Sequence, residues 1–383
     1  MSSETYGSGH SLSVGELTTN PYPALHRLRA EAPVAWVPSL QAWLVTSHDM
    51  CVEVMLDPDT FTVDDPRFST QQVIGPSMLS LDGLEHRRHR DPFAGPFRAA
   101  LIKEMEGFAV DTARDLVDSA ISAGSGDLRA DVAAPMAVAL MSRVLDLDDV
   151  SVSDLLAWYE DIVDAVHTVT AGGDLPTSGL VAFDNLKEAV SANLGSSALL
   201  GPVDSSGSLS VDEIVSNVAV LLFGGIVTSE SSTAIAYRYL LERPDLWLML
   251  RSDRSLVRPF VEESFRIEPS AAAVDRYATR LVALGGSEIA EGDLVRVSLT
   301  AANRDPDVFP HPDELDITRE NLGRSLTFAR GPHACLGIHL ARLEALAAVN
   351  ALVDGPTPDV GPELDPVTGL VFRVPETVTA TWE

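Results

Sequence analysis

The sequence predicts a mainly α-helical fold with a minor β portion, an α+β arrangement weighted to α. Two long segments, 98–165 and 211–267, place apolar residues at spacings of three and four, the repeat of amphipathic helices. Residues 270–300 instead carry short alternating runs with glycine turns, which are typical of hairpins. Helical segments outnumber the β segments, so helices are expected to dominate the architecture.

The N-terminal part is predicted to begin with a flexible segment followed by short strands. Residues 1–19 are rich in Ser and Gly, and we expect them to be flexible, ahead of one domain over 20–383. Within 21–60, the runs PVAWV and AWLVTS are separated by turn residues and indicate strands. The segment 98–165 then predicts helices.

The middle of the chain is predicted to form long helices. One is expected over 211–241, where Asp212 and Glu213 suit the positive end of a helix dipole. A second follows Pro244 and ends near Ile267, since a proline comes two residues later.

An irregular region precedes the last helix. Residues 301–334 are rich in Pro, Asp, Asn and Gly, and a long loop of this kind inside a globular chain is usually functional or disordered. It leads directly into the periodic run LGIHLARLEALAAVNALV, which predicts a helix and favours function. The tail GLVFRVPETVTATW predicts one more hairpin.

Composition excludes several classes of protein. The 383 residues include 27 Lys and Arg against 56 Asp and Glu, a formal charge of −29, which is the wrong sign for nucleic-acid binding and disfavours anionic membranes. Two cysteines, Cys51 and Cys335, provide no disulfide framework and fit a reducing compartment. No signal peptide or membrane-spanning stretch is expected, so we predict an acidic cytoplasmic enzyme that is a monomer.

The segment from Phe328 to Gly337, FARGPHACLG, is the most informative stretch. Taken alone, Cys335 has four interpretations: a buried small side chain, a catalytic thiol paired with His333, a weakly supported zinc ligand, or an axial thiolate for haem iron. Gly331 and a following proline fix a tight backbone, and a cysteine near the start of a helix is favoured as a thiolate. These features favour the haem interpretation.

This stretch resembles the haem-binding loop of the cytochrome P-450 superfamily, whose pattern is Phe, Gly, any, Gly, any, His or Arg, any, Cys, any, Gly. Every fixed position matches except Ala329, where the family usually has Gly or Ser. The resemblance extends from about residue 20 to residue 382. It implies the triangular helical fold of the family, one haem b with Cys335 as the axial iron ligand, and Phe328 beside the haem.

Other positions match the family's structural and haem-binding motifs. The pair Glu263 and Arg266 matches Glu-x-x-Arg, whose two side chains share a helix face, and Arg319 takes the place of the second arginine. The resemblance gives these three residues a structural role, holding the loop that presents Cys335. It also implies that the two haem propionates are bound by the following residues: His86, Arg90, Arg276 and His333.

The long helix carries the oxygen-side motif with one departure from the family. Gly224 and Gly225 match the small residues that widen the groove for dioxygen, and Thr228 matches the catalytic alcohol. Val227 stands where the family has an acid. Glu230 lies roughly 200° around the helix from Thr228 and should point away. The source of protons is therefore open, and a substrate hydroxyl, water or another residue could serve.

The resemblance implies a soluble bacterial haem-thiolate monooxygenase. It would insert one oxygen atom of O2 into a small or medium, largely apolar secondary metabolite or xenobiotic. Its electrons would come from NAD(P)H through a separate ferredoxin or flavodoxin and its reductase. The partner is expected on the Cys335 side, near Arg330, His333, His339 and Arg342. By family position, the substrate pocket should use the following residues: Phe223, Val227, Ala272, Val274 and Leu370.

Three other functions remain as alternatives. Val227 leaves room for a peroxygenase, an isomerase or an oxidative coupling catalyst. A non-catalytic haem sensor would not need the glycines or Thr228. A cysteine hydrolase using Cys335 and His333 would leave His86, Arg90 and Arg276 unexplained.

Overall fold

The computed structural model describes residues 9–170, 173–195, 199–360 and 364–382. Helices dominate, with small sheets at the edges of the molecule. The α-helices of the described residues are α1 (Val14–Thr19), α2 (Tyr22–Glu31), α3 (His48–Leu56), α4 (Ser69–Ile74), α5 (Gly83–Ala94), α6 (Ala99–Glu104), α7 (Glu106–Ser122), α8 (Ala134–Val144), α9 (Val152–Thr170), α10 (Thr177–Asn193), α11 (Leu200–Ser205), α12 (Val211–Glu242), α13 (Pro244–Ser252), α14 (Val257–Ile267), α15 (Leu299–Ala302) and α16 (Ile338–Asp354).

The strands are short and group into four small sheets within these residues. Their bounds are β1 (Val34–Val37), β2 (Ala42–Val45), β3 (Phe61–Thr62), β4 (Ser125–Asp127), β5 (Ala273–Ala278), β6 (Val282–Leu284), β7 (Ser287–Ile289), β8 (Leu294–Ser298), β9 (Asp359–Val360), β10 (Val367–Thr368), β11 (Val374–Pro375) and β12 (Thr379–Thr381). The largest sheet has the order β1-β2-β8-β5-β3, and only its β2–β8 pairing is parallel.

Helix α12 is the centre of the molecule. It begins with a capping box in which Ser210 and Glu213 satisfy each other's backbone N–H groups. Its 32 residues are apolar on most sides and pack against α8, α10, α14 and α16. A second core lies between the five-stranded sheet and α3, where Cys51 is fully buried.

The sequence analysis expected no segment long and apolar enough to span a membrane, and α12 corrects that expectation. By length and composition this helix could cross a bilayer, although no such segment was predicted. Most of the surface of its apolar stretch is instead covered by the rest of the protein, as in the core helix of a soluble protein.

Three further boundaries differ from the prediction. The helix expected from Pro244 to Ile267 is interrupted, because Asp253 is extended and its side chain accepts from the Ser255 N–H to begin a new turn. The hairpin predicted over 369–382 does not form: β11 pairs with β10, which precedes that segment, and β12 pairs with β4 and β9. Within the N-terminal segment expected to be flexible, α1 is helical and buries Leu17; residues 1–8 lie outside the described residues.

A buried ion cluster holds the irregular region 303–319 in place. Glu263 accepts from Arg266 at 2.6 and 2.7 Å and from Arg319 at 2.9 Å, and the side chains of Glu263 and Arg266 are fully buried. Both guanidinium groups also donate to backbone carbonyls of this region, including those of Pro310 and Pro312. Two cations and one carboxylate thereby satisfy a long stretch of backbone that has no secondary structure.

Hydrogen bonds connect the same region to the loop before α16. The Arg266 guanidinium donates to the Asn303 carbonyl at 2.8 Å, and the Asn303 amide oxygen accepts from the Leu326 N–H at 2.6 Å. The Thr327 hydroxyl then donates to the Phe265 carbonyl at 2.7 Å, which ties the loop to α14. The loop leading to Cys335 is therefore anchored on a buried polar network.

Substituting Glu263→Gln should lower the free energy of unfolding by about 3–5 kcal/mol, because two buried guanidinium groups lose their carboxylate. Urea denaturation measures this change. The neighbouring Glu262→Gln is the control: its side chain is 20% exposed and pairs with Arg342, so about 1 kcal/mol or less is expected. Equal losses in the two variants would contradict the assignment.

Candidate active site

A cavity of about 240 Å³ lies between α12, the start of β5 and the loop that precedes α16. Its walls are mostly apolar, with a few hydroxyls and one basic edge. The residues that the argument uses are Gly224, Thr228, Ser229, Val274, Phe328, His333 and Cys335. The cavity therefore brings the predicted iron ligand, the glycine pair, the predicted catalytic threonine and two of the predicted propionate-binding residues around one space.

The loop presents Cys335 on the cavity wall through a tight turn. The Cys335 N–H donates to the Phe328 carbonyl at 2.9 Å. Gly331 has φ +75°, and a Cβ there would lie 2.3 Å from the Met55 carbonyl oxygen, so only glycine fits. Ala329 also has positive φ, +54°, at the position where the family usually has Gly or Ser. The Ala329 backbone is therefore held in a left-handed conformation, which costs energy for a residue with a Cβ atom.

The electrostatic surroundings of Cys335 are mixed. Desolvation raises the pKa of its thiol, while the Gly337 N–H, Arg90 and Arg342 favour the thiolate. The thiol precedes α16 by three residues, so the helix start alone does not determine its ionisation. A stable thiolate at this place needs a cationic partner such as a metal ion.

Four basic side chains, His86, Arg90, Arg276 and His333, are called the cation cluster. Arg90 and His333 line one edge of the cavity, and His86 and Arg276 lie behind them, close to His333. The rings of His86 and His333 are 4.3 Å apart between centroids. Arg90 donates to the Ala334 carbonyl at 2.6 Å, and Arg276 is 5% exposed and donates to the Asp275 carbonyl. The cluster brings together all four residues predicted to bind propionates.

The cation cluster has unused capacity for anions. Among the described residues, no carboxylate lies within ion-pair distance of Arg90 or Arg276, and His86 Nε2 is buried without a partner. Desolvation lowers the pKa of both arginines and of His86, the last to about 4. Buried positive charge in this state is costly unless an anionic ligand joins it. A haem with two propionates fits this edge, with Cys335 on the cavity wall as its ligand.

The glycine pair of α12 serves two different purposes. A Cβ on Gly224 would meet nothing within 4 Å, so this residue leaves open space at the cavity. A Cβ on Gly225 would lie 2.5 Å from the Met141 sulfur, so this residue permits close packing of α12 against α8. The sequence analysis assigned both glycines to the groove, but only Gly224 leaves space there. Gly225 allows α12 to pack closely against α8.

Thr228 lines the cavity, and its hydroxyl donates to the Gly224 carbonyl at 2.6 Å. Such a bond back to the preceding turn is an ordinary helix contact, and it also fixes the position of the hydroxyl oxygen. Val227 is absent from the cavity wall, and Glu230 points elsewhere to pair with Arg129 at 2.7 Å. The orientation predicted for Glu230 agrees with this contact.

Glu344 of α16 is an acid that the sequence analysis did not single out. It is 1% exposed, and neither carboxyl oxygen has a hydrogen-bond partner among the described residues. Desolvation raises its pKa well above the usual range, the Ser229 hydroxyl opposes that rise, and Glu230 adds to it. Burial therefore favours the protonated form of Glu344, which lies beside Ser229, the residue that follows Thr228.

The substrate-pocket predictions are mostly corrected. Val274 lies on the cavity wall, next to Ala271. Ala272 and Leu370 instead line a separate small cavity near α1 and α2, because the chain turns Ala272 to the other side of its segment. Phe223 packs edge-on against Phe372, with ring centroids 5.6 Å apart, and lines a third small cavity against α9.

Two other interpretations of Cys335 lose support. Within the described residues, no three His, Cys, Asp or Glu side chains are grouped as a metal site, which disfavours zinc. The imidazole of His333 donates from Nε2 to Asp82 at 2.7 Å and is engaged with that carboxylate. Asp82 was also missed, although an acid directly before a basic helix could have indicated it.

Ala329→Gly should raise the free energy of unfolding by about 0.5–1 kcal/mol. Glycine removes a left-handed penalty of roughly 1–2 kcal/mol, and its greater freedom in the unfolded chain offsets about 0.4–1 kcal/mol. Denaturant unfolding measures the change. Ala334→Gly in the same loop is the control, because Ala334 has no positive φ and should only lose stability. A less stable Ala329→Gly variant would contradict the strain argument.

Comparisons with known proteins agree with this geometry. The family model described as cytochrome P450 matches residues 193–354. The cytochrome P450 monooxygenase PikC of Streptomyces venezuelae is 31% identical over 367 residues, which cover 92% of this chain and 87% of that protein. The vitamin D(3) 25-hydroxylase of Pseudonocardia autotrophica is 31% identical over 355 residues, 90% of this chain and 88% of that protein. The crystal structure of CalO2 matches with a TM-score of 0.87 at 27% identity, covering 95% of this chain and 96% of that one. The chain therefore belongs to the cytochrome P450 family and is a monooxygenase, an oxidoreductase.

Proposed function

We propose that this P450 inserts one oxygen atom of O2 into a small or medium, largely apolar organic substrate, using haem b and electrons from a separate redox partner. The observation that carries the proposal is one cavity that combines Cys335, Thr228 and two members of the cation cluster, Arg90 and His333. The family implies haem, O2 and reducing equivalents. The haem type and NAD(P)H as the ultimate donor are part of the proposal.

The chain's residues have separate tasks in this reaction. Cys335 would hold the haem iron as a thiolate, and the cation cluster would hold the propionates. When bound, the haem supplies oxygen activation, which thiolate donation favours. The apolar walls around Gly224 and Val274 would exclude water and hold the substrate.

Proton supply is assigned to hydroxyls and a buried acid, because Val227 cannot provide it. The Thr228 Oγ1 atom is fixed at the cavity by its bond to the Gly224 carbonyl. Glu344 holds a proton on its carboxyl beside the Ser229 hydroxyl, one residue from Thr228. Protons would pass from Glu344 through Ser229 toward the cavity and be replaced from bulk water.

The substrate is proposed from the character of the cavity. Its walls are mainly apolar and include Met78, Leu79 and Val220. A relative named vitamin D(3) 25-hydroxylase is compatible with an organic substrate of this kind. The proposal is limited to an organic molecule with a large apolar surface.

A basic cleft of about 560 Å³ between α6, α7, α14 and α16 supports the proposal that a separate redox partner docks on this side of the protein. It is lined by Lys103, Arg114, Arg254, Arg258, His339 and Arg342. A concentration of cations in a chain of charge −29 favours an acidic partner such as a ferredoxin or flavodoxin. The sequence analysis placed His333 on this face, but the residue does not belong to it, because its side chain is only 8% exposed and pairs with Asp82. A monomeric state and a cytoplasmic location stay predictions.

Val227 supports a second candidate function. Without an acid before Thr228, the same haem-thiolate site could act as a peroxygenase, an isomerase or an oxidative coupling catalyst. Turnover with peroxide, or without any reductant, would identify this alternative.

The reduced protein with carbon monoxide should give the strongly red-shifted Soret band of a haem thiolate. Cys335→Ala should lose that band, while Cys51→Ala is the control, because Cys51 is buried in the other core. Difference absorption spectra measure both. A Soret band in the ordinary histidine-haem position would remove the monooxygenase mechanism, and the absence of any haem band would remove the cofactor.

Thr228→Ala should lower the product formed per NADPH consumed by about tenfold or more, since a positioned proton-transfer group contributes roughly 10²- to 10⁴-fold. Glu230→Gln should change this ratio little, because Glu230 faces Arg129. Reconstitution with a surrogate ferredoxin system measures NADPH, product and hydrogen peroxide together. Normal coupling in Thr228→Ala would reject the role of this hydroxyl.

A further inference from the structure

A carboxylate lies inside the cation cluster. Asp82 directly precedes α5, and its side chain is 15% exposed. One oxygen accepts from His333 Nε2 at 2.7 Å. The other accepts from the Thr62 hydroxyl at 2.6 Å and from the Val63 N–H at 2.9 Å. Three donors from two segments of the chain, 62–63 and the loop that carries His333, therefore fix this carboxylate at the predicted propionate site.

Helix capping does not explain Asp82. Aspartate before a helix usually accepts from the first turn of that helix, but this side chain makes no such bond. Gly83, with φ +62°, follows it, and nothing lies within 4 Å of the place where a Cβ would be. The backbone turn thus directs the Asp82 side chain away from α5 and toward His333.

Asp82 carries its negative charge across the working pH range. Burial raises the pKa of this carboxyl, but hydrogen bonds from His333, Thr62 and Val63 lower it to about 2. The charge also acts on the rest of the cluster, since it raises the pKa of Arg276 and of His86 against the effect of their burial. Asp82 is therefore a permanent anion among the cations that would face the propionates.

We propose that Asp82 is a positioning residue that orients His333 and sets the haem reduction potential. The proposal rests on the haem site assigned above. Reduction adds an electron to the haem, so a fixed anion at its edge disfavours the reduced form and keeps the potential low. Asp82 also offsets part of the positive charge of Arg276, which lowers the potential further.

The reduction potential of the haem-loaded protein tests this role. Asp82→Asn is isosteric and keeps an oxygen for the Thr62 and Val63 donors, and we expect its potential to shift positively. Glu85→Gln is the matched control: it removes an acid three residues along, whose side chain is 58% exposed and pairs with Arg88. Its potential should stay at the wild-type value. Spectroelectrochemical titration measures all three proteins.

A double-mutant cycle with His333→Gln tests the positioning role. Because Asp82 and His333 are in direct contact, the two shifts in potential should be non-additive. An additive cycle would overturn the positioning role, and an unchanged potential in a correctly folded Asp82→Asn would overturn the electrostatic role. If that variant does not fold, Asp82→Ser supplies a second neutral side chain. A wild-type protein without a haem-thiolate spectrum would instead reject the proposed function, which separates the two failures.

Discussion

The arrangement of the active site depends on one buried carboxylate. Glu263 is shared by Arg266 and Arg319, and together they satisfy the backbone of 303–319, which forms almost no regular structure. Without this cluster, the many carbonyls of that region would need another partner or water. Because Asn303 connects the region to the loop before α16, the cluster also helps to hold the loop that carries Cys335. A loop without secondary structure is thus anchored by buried hydrogen bonds to α14 and to the region 303–319.

Helix α12 shows how one element combines packing with chemistry. Glycine is unfavourable inside a helix, so the two adjacent glycines need two reasons. Gly225 is required because Met141 lies where its side chain would be, while Gly224 leaves the cavity open. Thr228 follows one turn later and is fixed by the Gly224 carbonyl. The residue that opens the space therefore also anchors the hydroxyl that borders it.

The features that could be predicted from the sequence are those that follow from residue spacing and from distinctive motifs. The long helices follow from periodicity, and Cys335 with its four cations follows from motifs whose residue types are distinctive. Asp82 and Glu344 were missed because a single acid in a helical pattern resembles any solvated residue until its neighbours in space are known. The break at Asp253 was missed because a local side-chain bond overrides periodicity there. The pocket residues failed for a similar reason, since the side to which Ala272 turns is set by tertiary packing.

The charges of the site also explain why the cofactor and the fold depend on each other. The protein carries a formal charge of −29, yet it buries Arg276 behind the cavity edge with no carboxylate within ion-pair distance among the described residues, and Asp82 and Asp275 act on it only from further away. Leaving buried cations without compensation is unfavourable, and a ligand that binds only the folded state stabilises that state. The two propionates of a haem would supply the missing anions, while Asp82 keeps the edge from becoming strongly positive. On the proposed assignment, the stability of the folded chain and the potential of its haem would depend on the same few side chains.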